Sequence, residues 1–130
     1  TLIELMIVVG VIAVIAAFSI PRLLEGKNAS YETTASSYLR TLHQSEVAYQ
    51  GRNSRWATLQ DLKDSNYLPK DDLKSYVVVL SVASDGSGFS ATATPLVQPA
   101  SMRFFFVDTS GVVRYSVGSP ATATSQPIGG

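Results

Sequence analysis

Thr1–Pro21 reads TLIELMIVVGVIAVIAAFSIP, an almost unbroken apolar run with a single carboxylate, Glu4, and no Lys or Arg until Arg22. A helix needs roughly 20 such residues to cross the hydrocarbon of a bilayer, so the run has close to the required length. A carboxylate near the end of such a span costs on the order of 1–3 kcal/mol according to its depth, and it invites a functional partner. The nearest positive charge in a second copy of the chain is the α-amino group at Thr1. Helices lying side by side with a stagger would bring that amine to Glu4 of a neighbour, an arrangement that a filament subunit waiting in a membrane would need. The competing reading is a plain anchor, with Glu4 one turn from the helix end and within reach of the headgroup layer. The run has neither the basic start nor the cleavage site of a secretory signal, so it is expected to be retained.

A helical pattern resumes after Pro21. Leu24, Tyr31, Ala35, Tyr38, Leu42 and Tyr49 follow one another at steps of seven, four, three, four and seven, which places them on one helix face. Leu39 widens that stripe, and Lys27, Glu32, Arg40 and Gln44 read as the solvated side. The helix is expected to run from about residue 2 to Gln50 and to close at Gly51, a suitable residue just past a helix end. At 1.5 Å per residue it would be roughly 70 Å long. About 110 residues remain for one small domain, too few to cover such a rod, so the apolar half is expected to protrude. Bilayer and filament core are its two plausible environments.

Beyond residue 51 the chain turns polar, with Thr58 a candidate N-cap for a short helix over Leu59–Lys63 and Asp61 in the third helical position. Strands are expected over Ser75–Ala83, Phe89–Thr94, Met102–Val107 and Val112–Val117, from their alternation and β-branched content. Ser84–Gly88 and Asp108–Gly111 read as the turns, and Pro95–Pro99 as a loop. Short connections imply neighbouring antiparallel strands. The expected fold is α+β: a long N-terminal α-helix whose amphipathic half packs on a four-stranded antiparallel β-meander. Residues 1–24 form the hydrophobic helix and 25–130 the globular domain. The tail from Gly118 holds small and polar residues with Ile128, and is either flexible or pinned across a neighbouring subunit.

The segment Thr-Leu-Ile-Glu-Leu-Met-Ile-Val-Val, followed by Ala16-Ala17-Phe18-Ser19-Ile20-Pro21, resembles the mature N-terminus of the type IV pilin and type II secretion pseudopilin superfamily. The resemblance is specific over about the first 22 residues; Trp56–Pro69 and the hairpin Phe106–Arg114 agree more loosely. It implies the pilin fold, cleavage by a prepilin peptidase, and a phenylalanine, usually N-methylated, just before Thr1. The family's register glutamate falls on Glu4, opposite the amine at Thr1, and its helix-bending proline on Pro21. The filament core would be built from Leu2, Ile3, Leu5, Met6, Val9, Ile12, Ile15 and Phe18. Many members have glycine where this chain has Ala13, and alanine where it has Gly10. Assembled pilins often lose helicity between that glycine and the proline. Glycine weakens a helix by about 1 kcal/mol relative to alanine, so Ala13 weighs against melting here, while Pro21 lacks an N–H and clashes with the carbonyl of Ala17. Any stretching is expected between Val14 and Pro21.

Ten basic and ten acidic residues balance, which argues against a nucleic-acid surface. Cysteine is absent, so the disulfide-closed loop of many type IVa pilins and thiolate metal sites are excluded. His43 is the one histidine; it cannot build a His-based metal cluster, and it reads as a packing or surface residue. Asp61, Asp64, Asp71 and Asp72 lack the glycine and terminal glutamate of an EF-hand, and no acidic cluster stands near the C-terminus, where major pseudopilins hold calcium. Gly86 and Gly88 precede a strand, so they form no phosphate cradle. Asn28-Ala29-Ser30 fits the N-glycosylation triplet. Phe18, Tyr31, Tyr38 and Tyr49 line the helix as in electron-conducting pili, but core packing asks for the same spacing.

The expectation is a non-enzymatic filament subunit without cofactor or metal. As the resemblance implies, it is processed in the inner membrane and drawn by an ATP-driven assembly machine into a helical homopolymer at the cell surface, for adhesion, motility or DNA uptake. A secretion pseudopilin forming a periplasmic pseudopilus is the nearest alternative, and a membrane-anchored periplasmic binding domain the more distant one.

Overall fold

The 3–4 spacing of Ala35, Leu39, Leu42 and Tyr49 continues through two polar positions, Ser45 and Glu46, and all six side chains are buried. This stripe is the inner face of helix α1, Leu2–Asn53, in a computed structural model that describes residues 1–129. After it come α2 (Leu59–Asp64), β1 (Tyr76–Val82), β2 (Phe89–Pro95), β3 (Arg103–Asp108), β4 (Arg114–Val117) and β5 (Gln126–Pro127). The chain forms two compact units, Thr1–Ser30 and Tyr31–Gly130.

In the second unit the strands form one antiparallel sheet in the order β1-β2-β3-β4-β5. Tyr76, Phe89, Ala91, Ala93, Phe105 and Val107 are its buried side chains toward the core shared with α1. The expected alternation of Phe89, Ala91 and Ala93 against Ser90, Thr92 and Thr94 holds, since the first three are buried and the others are not. Phe89 joins α1 to the linker after it: the His43 ring lies 6.0 Å from it and the Trp56 ring 5.0 Å. The fold class is therefore α+β, a long N-terminal helix on an antiparallel sheet.

The linker is held by capping and charge. Thr58 caps α2, its hydroxyl accepting the Asp61 N–H at 3.1 Å while an Asp61 carboxylate oxygen accepts the Thr58 N–H at 3.0 Å. That backbone bond, followed by the Arg55 guanidinium 3.1 Å away, keeps the Asp61 carboxyl below the ordinary carboxylate value. Arg55 also donates to the Tyr49 hydroxyl at 2.7 Å, tying the last turn of α1 to the start of α2.

Four expectations change. The helix does not close at Gly51 but continues to Asn53, and Ser54, at φ 56°, takes the left-handed position that ends it. Pro95 belongs to β2 rather than to the following loop. The N–H of Leu96 bonds to the Ser75 carbonyl at 2.9 Å, so the missing N–H of Pro95 faces away from β1, and the pairing with β3 has already ended at Ala93. No ladder bond is lost there. Glu32, read as solvated, is half-buried and accepts the Arg103 N–H at 3.0 Å, joining α1 to the start of β3.

The fourth change is the tail. A fifth strand pairs Arg114 with Pro127 and Tyr115 with Gln126. Ile128 donates its N–H to Val113 at 2.9 Å, and Ala121 is buried. The stretch read as flexible or pinned on a neighbour is anchored on its own sheet, through backbone bonds that side-chain composition does not reveal. Gly118, at φ 71°, permits this: a Cβ there would sit 2.9 Å from the Ala100 carbonyl oxygen. Gly111, at φ 77°, does the same in the Asp108–Gly111 turn, where a Cβ would meet the His43 ring at 2.9 Å.

Glu46 is fully buried; one carboxylate oxygen accepts the Ala57 N–H at 2.9 Å and the other has no partner. Burial pushes its carboxyl above the ordinary value of 4.5, outweighing the Ala57 bond. The folded chain therefore holds this proton more tightly than the unfolded one. The resulting stability is present below about pH 4.5 and is lost as pH rises through the raised folded value. Glu46→Gln keeps an acceptor for Ala57 and removes the titration. Thermal unfolding at a series of pH values should show the wild type losing stability relative to the variant as pH rises from 4.5 toward neutrality; parallel profiles would contradict this reading.

Candidate functional site

Helix α1 from Leu2 to Ile20 has no polar face. Its large apolar side chains are each between 53% and 75% exposed, and its most apolar stretch is long and apolar enough to cross a membrane with none of it buried. A water-facing helix carries a polar side; one that is apolar all round belongs in a protein core or in lipid. No core in the described residues covers it.

The expected packing residues spread around this helix instead of forming one stripe. At 100° per residue, Leu2, Leu5, Val9 and Ile12 share one side with Met6 at its edge. Ile3, Ile15 and Phe18 point elsewhere. A helix surrounded by several neighbours would use all of them. Leu5, Met6, Val9 and Gly10 line a shallow apolar groove.

Gly10, Ala13 and Ala17 recur at steps of three and four, forming a flank of short side chains on which a second helix could approach closely. That flank went unread in the sequence, although its spacing is visible there. Gly10 and Ala13, expected to bear on helix melting, both lie on it. The helix itself is unbroken through Gly10, Ala13 and Pro21. Ser19 donates its hydroxyl to the Ile15 carbonyl at 2.9 Å, one turn ahead of the proline.

Glu4 lies in the first turn, where the helix dipole favours a negative charge. Thr1 is outside the helix and its carbonyl accepts the Leu5 N–H at 3.0 Å. The Glu4 carboxylate has no hydrogen-bond or ion-pair partner among the described residues. Arg22, the nearest basic side chain, is roughly 27 Å along the helix at 1.5 Å per residue. Glu4 shares its side with Val8, Val11 and Ile15, so a carboxylate stands at the head of an apolar ridge.

No group of three or more His, Asp or Glu residues among the described ones is arranged to hold a metal ion. The acidic cluster is dispersed over separate partners: Asp61 on Thr58 and Arg55, Asp64 on Gln60, and Asp72 on Lys63. His43 packs against Phe89 and lies near the Thr109 carbonyl, as a packing residue would.

Compared with known protein families, curated proteins and solved structures, the chain finds no match. The long apolar helix and the helix-on-sheet unit are compatible with a pilin-like fold.

Ile12, near the middle of the apolar segment, is 60% exposed and touches nothing that folding requires. Ile12→Arg should add about 3–4 kcal/mol to the cost of inserting this helix in a bilayer. Flotation of vesicles carrying the variant should show a large loss of membrane-bound protein. An unchanged membrane fraction would exclude this segment as the membrane-seeking element.

Proposed function

We propose that this chain is a structural subunit of a type IV pilus-like filament, held in the inner membrane by the apolar half of α1 before it polymerises through that same half. The observation that carries the reading is a helix apolar on every side with one unpartnered carboxylate near its start. A single anchor needs only the first of these features. Packing among identical helices uses both.

Burial of the Leu2–Ile20 surface supplies cohesion at about 25 cal/mol per Å². That term is indifferent to stagger, because apolar contacts slide at little cost. Register falls to Glu4, whose partner would be the ammonium that prepilin-type processing leaves at a neighbour's amino terminus. A carboxylate that stays unpaired in a dry core is strongly penalised, so wrong staggers are disfavoured. The flank of Gly10, Ala13 and Ala17 favours close approach of a neighbouring helix. Pro21 leaves the Ala17 carbonyl without its helical donor, so the helix is weakest there if assembly requires it to stretch.

Glu4→Ala and Glu4→Gln should leave membrane insertion intact and strongly reduce the yield of sheared filaments, read by electron microscopy and by fractionation of cells. Normal filaments from both variants would overturn the pairing. A wild type that stays monomeric in the membrane under assembling conditions would favour the plain anchor instead.

A further inference from the structure

The first strand of the sheet is an open edge. Strand β1 lies at the end of the order and pairs on one side only, with β2. Ala83 donates to Gly88 at 2.9 Å and Leu96 to Ser75 at 2.9 Å. With the observed register, these bonds place the β2-facing backbone groups on the odd-numbered residues. The N–H and C=O groups of Tyr76, Val78, Leu80 and Val82 therefore point outward from the sheet's edge, and none has a hydrogen-bond partner among the described residues. Edge strands usually carry a charge, a proline or a bulge that discourages pairing. The sequence Tyr-Val-Val-Val-Leu-Ser-Val carries no charge or proline, and its pairing with β2 runs without a bulge.

We propose that β1 is a homotypic pairing edge, onto which β1 of a second copy of this chain adds antiparallel about a two-fold axis at Val79. Centring the pair there uses all seven residues. Tyr76 faces Val82 of the other copy and Val78 faces Leu80, so every outward N–H and C=O meets its complement. The flanks agree in charge. Lys74, which has no ion pair among the described residues, comes beside the Ser84–Asp85 end of the partner strand, and the two-fold repeats that match at the other end. Val77 and Val79, 45% and 53% exposed, form a continuous apolar row across the pair.

The two-fold reverses strand direction between the two copies, and the pairing does not depend on the filament reading.

The chain's lack of cysteine makes the register testable. At a two-fold centred on Val79, the two Val79 residues face each other as a pair without mutual hydrogen bonds, where Cα atoms approach to about 4.5 Å, within disulfide range. Full-length Val79→Cys in detergent micelles, mildly oxidised, should form a disulfide-linked dimer in several-fold excess over Val77→Cys or Ser81→Cys alone. An equimolar mixture of Val77→Cys and Ser81→Cys should form the mixed dimer. Val79→Lys, which sets two ammonium groups against each other on an exposed face, should abolish pairing of the otherwise cysteine-free chain, read by light scattering, with an unchanged circular dichroism spectrum. Equal cross-linking at all three positions, as association through the apolar helix alone would give, overturns the proposal. Val79→Cys that stays monomeric overturns it as well.

Discussion

A helix that is apolar on every side cannot rest in water, and Leu2–Ile20 is such a helix. Water-facing helices are stable because one stripe is buried and the remainder is polar. The second half of α1 follows this rule, with Leu39 and Leu42 under the sheet and Arg40 and Gln44 outside. The first half does not. One continuous α-helical backbone thus runs from a segment that needs a non-aqueous surrounding into one that carries its own core. On the proposed reading Glu4 adds specificity to this requirement, because a carboxylate buried in a dry helical core is costly unless a cation meets it.

The globular unit solves its own problem without a disulfide. Its core is one helix face against one sheet face, and its loops are fixed by capping and by carboxylates that accept backbone N–H groups. Glu32 holds the start of β3, Glu46 holds Ala57, and Asp61 closes the capping box of α2. Glu46 is the costly member, since its second oxygen is buried without a partner. The open edge of β1 is the other departure from a self-contained unit, and like the apolar helix it leaves a demand that a second chain can meet.

Much of this was legible in the residues. The steps from Ala35 to Tyr49 gave the buried face, the alternation of Phe89, Ala91 and Ala93 gave the central strand, and Thr58 with Asp61 gave the short helix and its cap. What escaped depends on contacts between distant residues. Glu46 falls on the buried stripe, four positions after Leu42 and three before Tyr49, yet it went unread, because nothing in its residue type points to burial. The last strand was hidden because Gln126 and Pro127 have little strand preference and are held by pairing with Arg114 and Tyr115. The end of α1 was misplaced because Gly51 is a good terminator by type, yet the chain uses Ser54. For the apolar helix, the residue pattern showed its need for a non-aqueous surrounding and its lone acid, whereas the neighbours proposed for it are not encoded in any contact within one chain.

The most direct measurement is cryo-electron microscopy of the material this protein forms when released from cells, at a resolution that separates helices. The account requires a helical polymer with the Leu2–Ile20 segments side by side along its centre and each Glu4 against the amino terminus of a neighbouring copy. A centre built from any other part of the chain, or the same segment found solely as an isolated span in lipid, would contradict it.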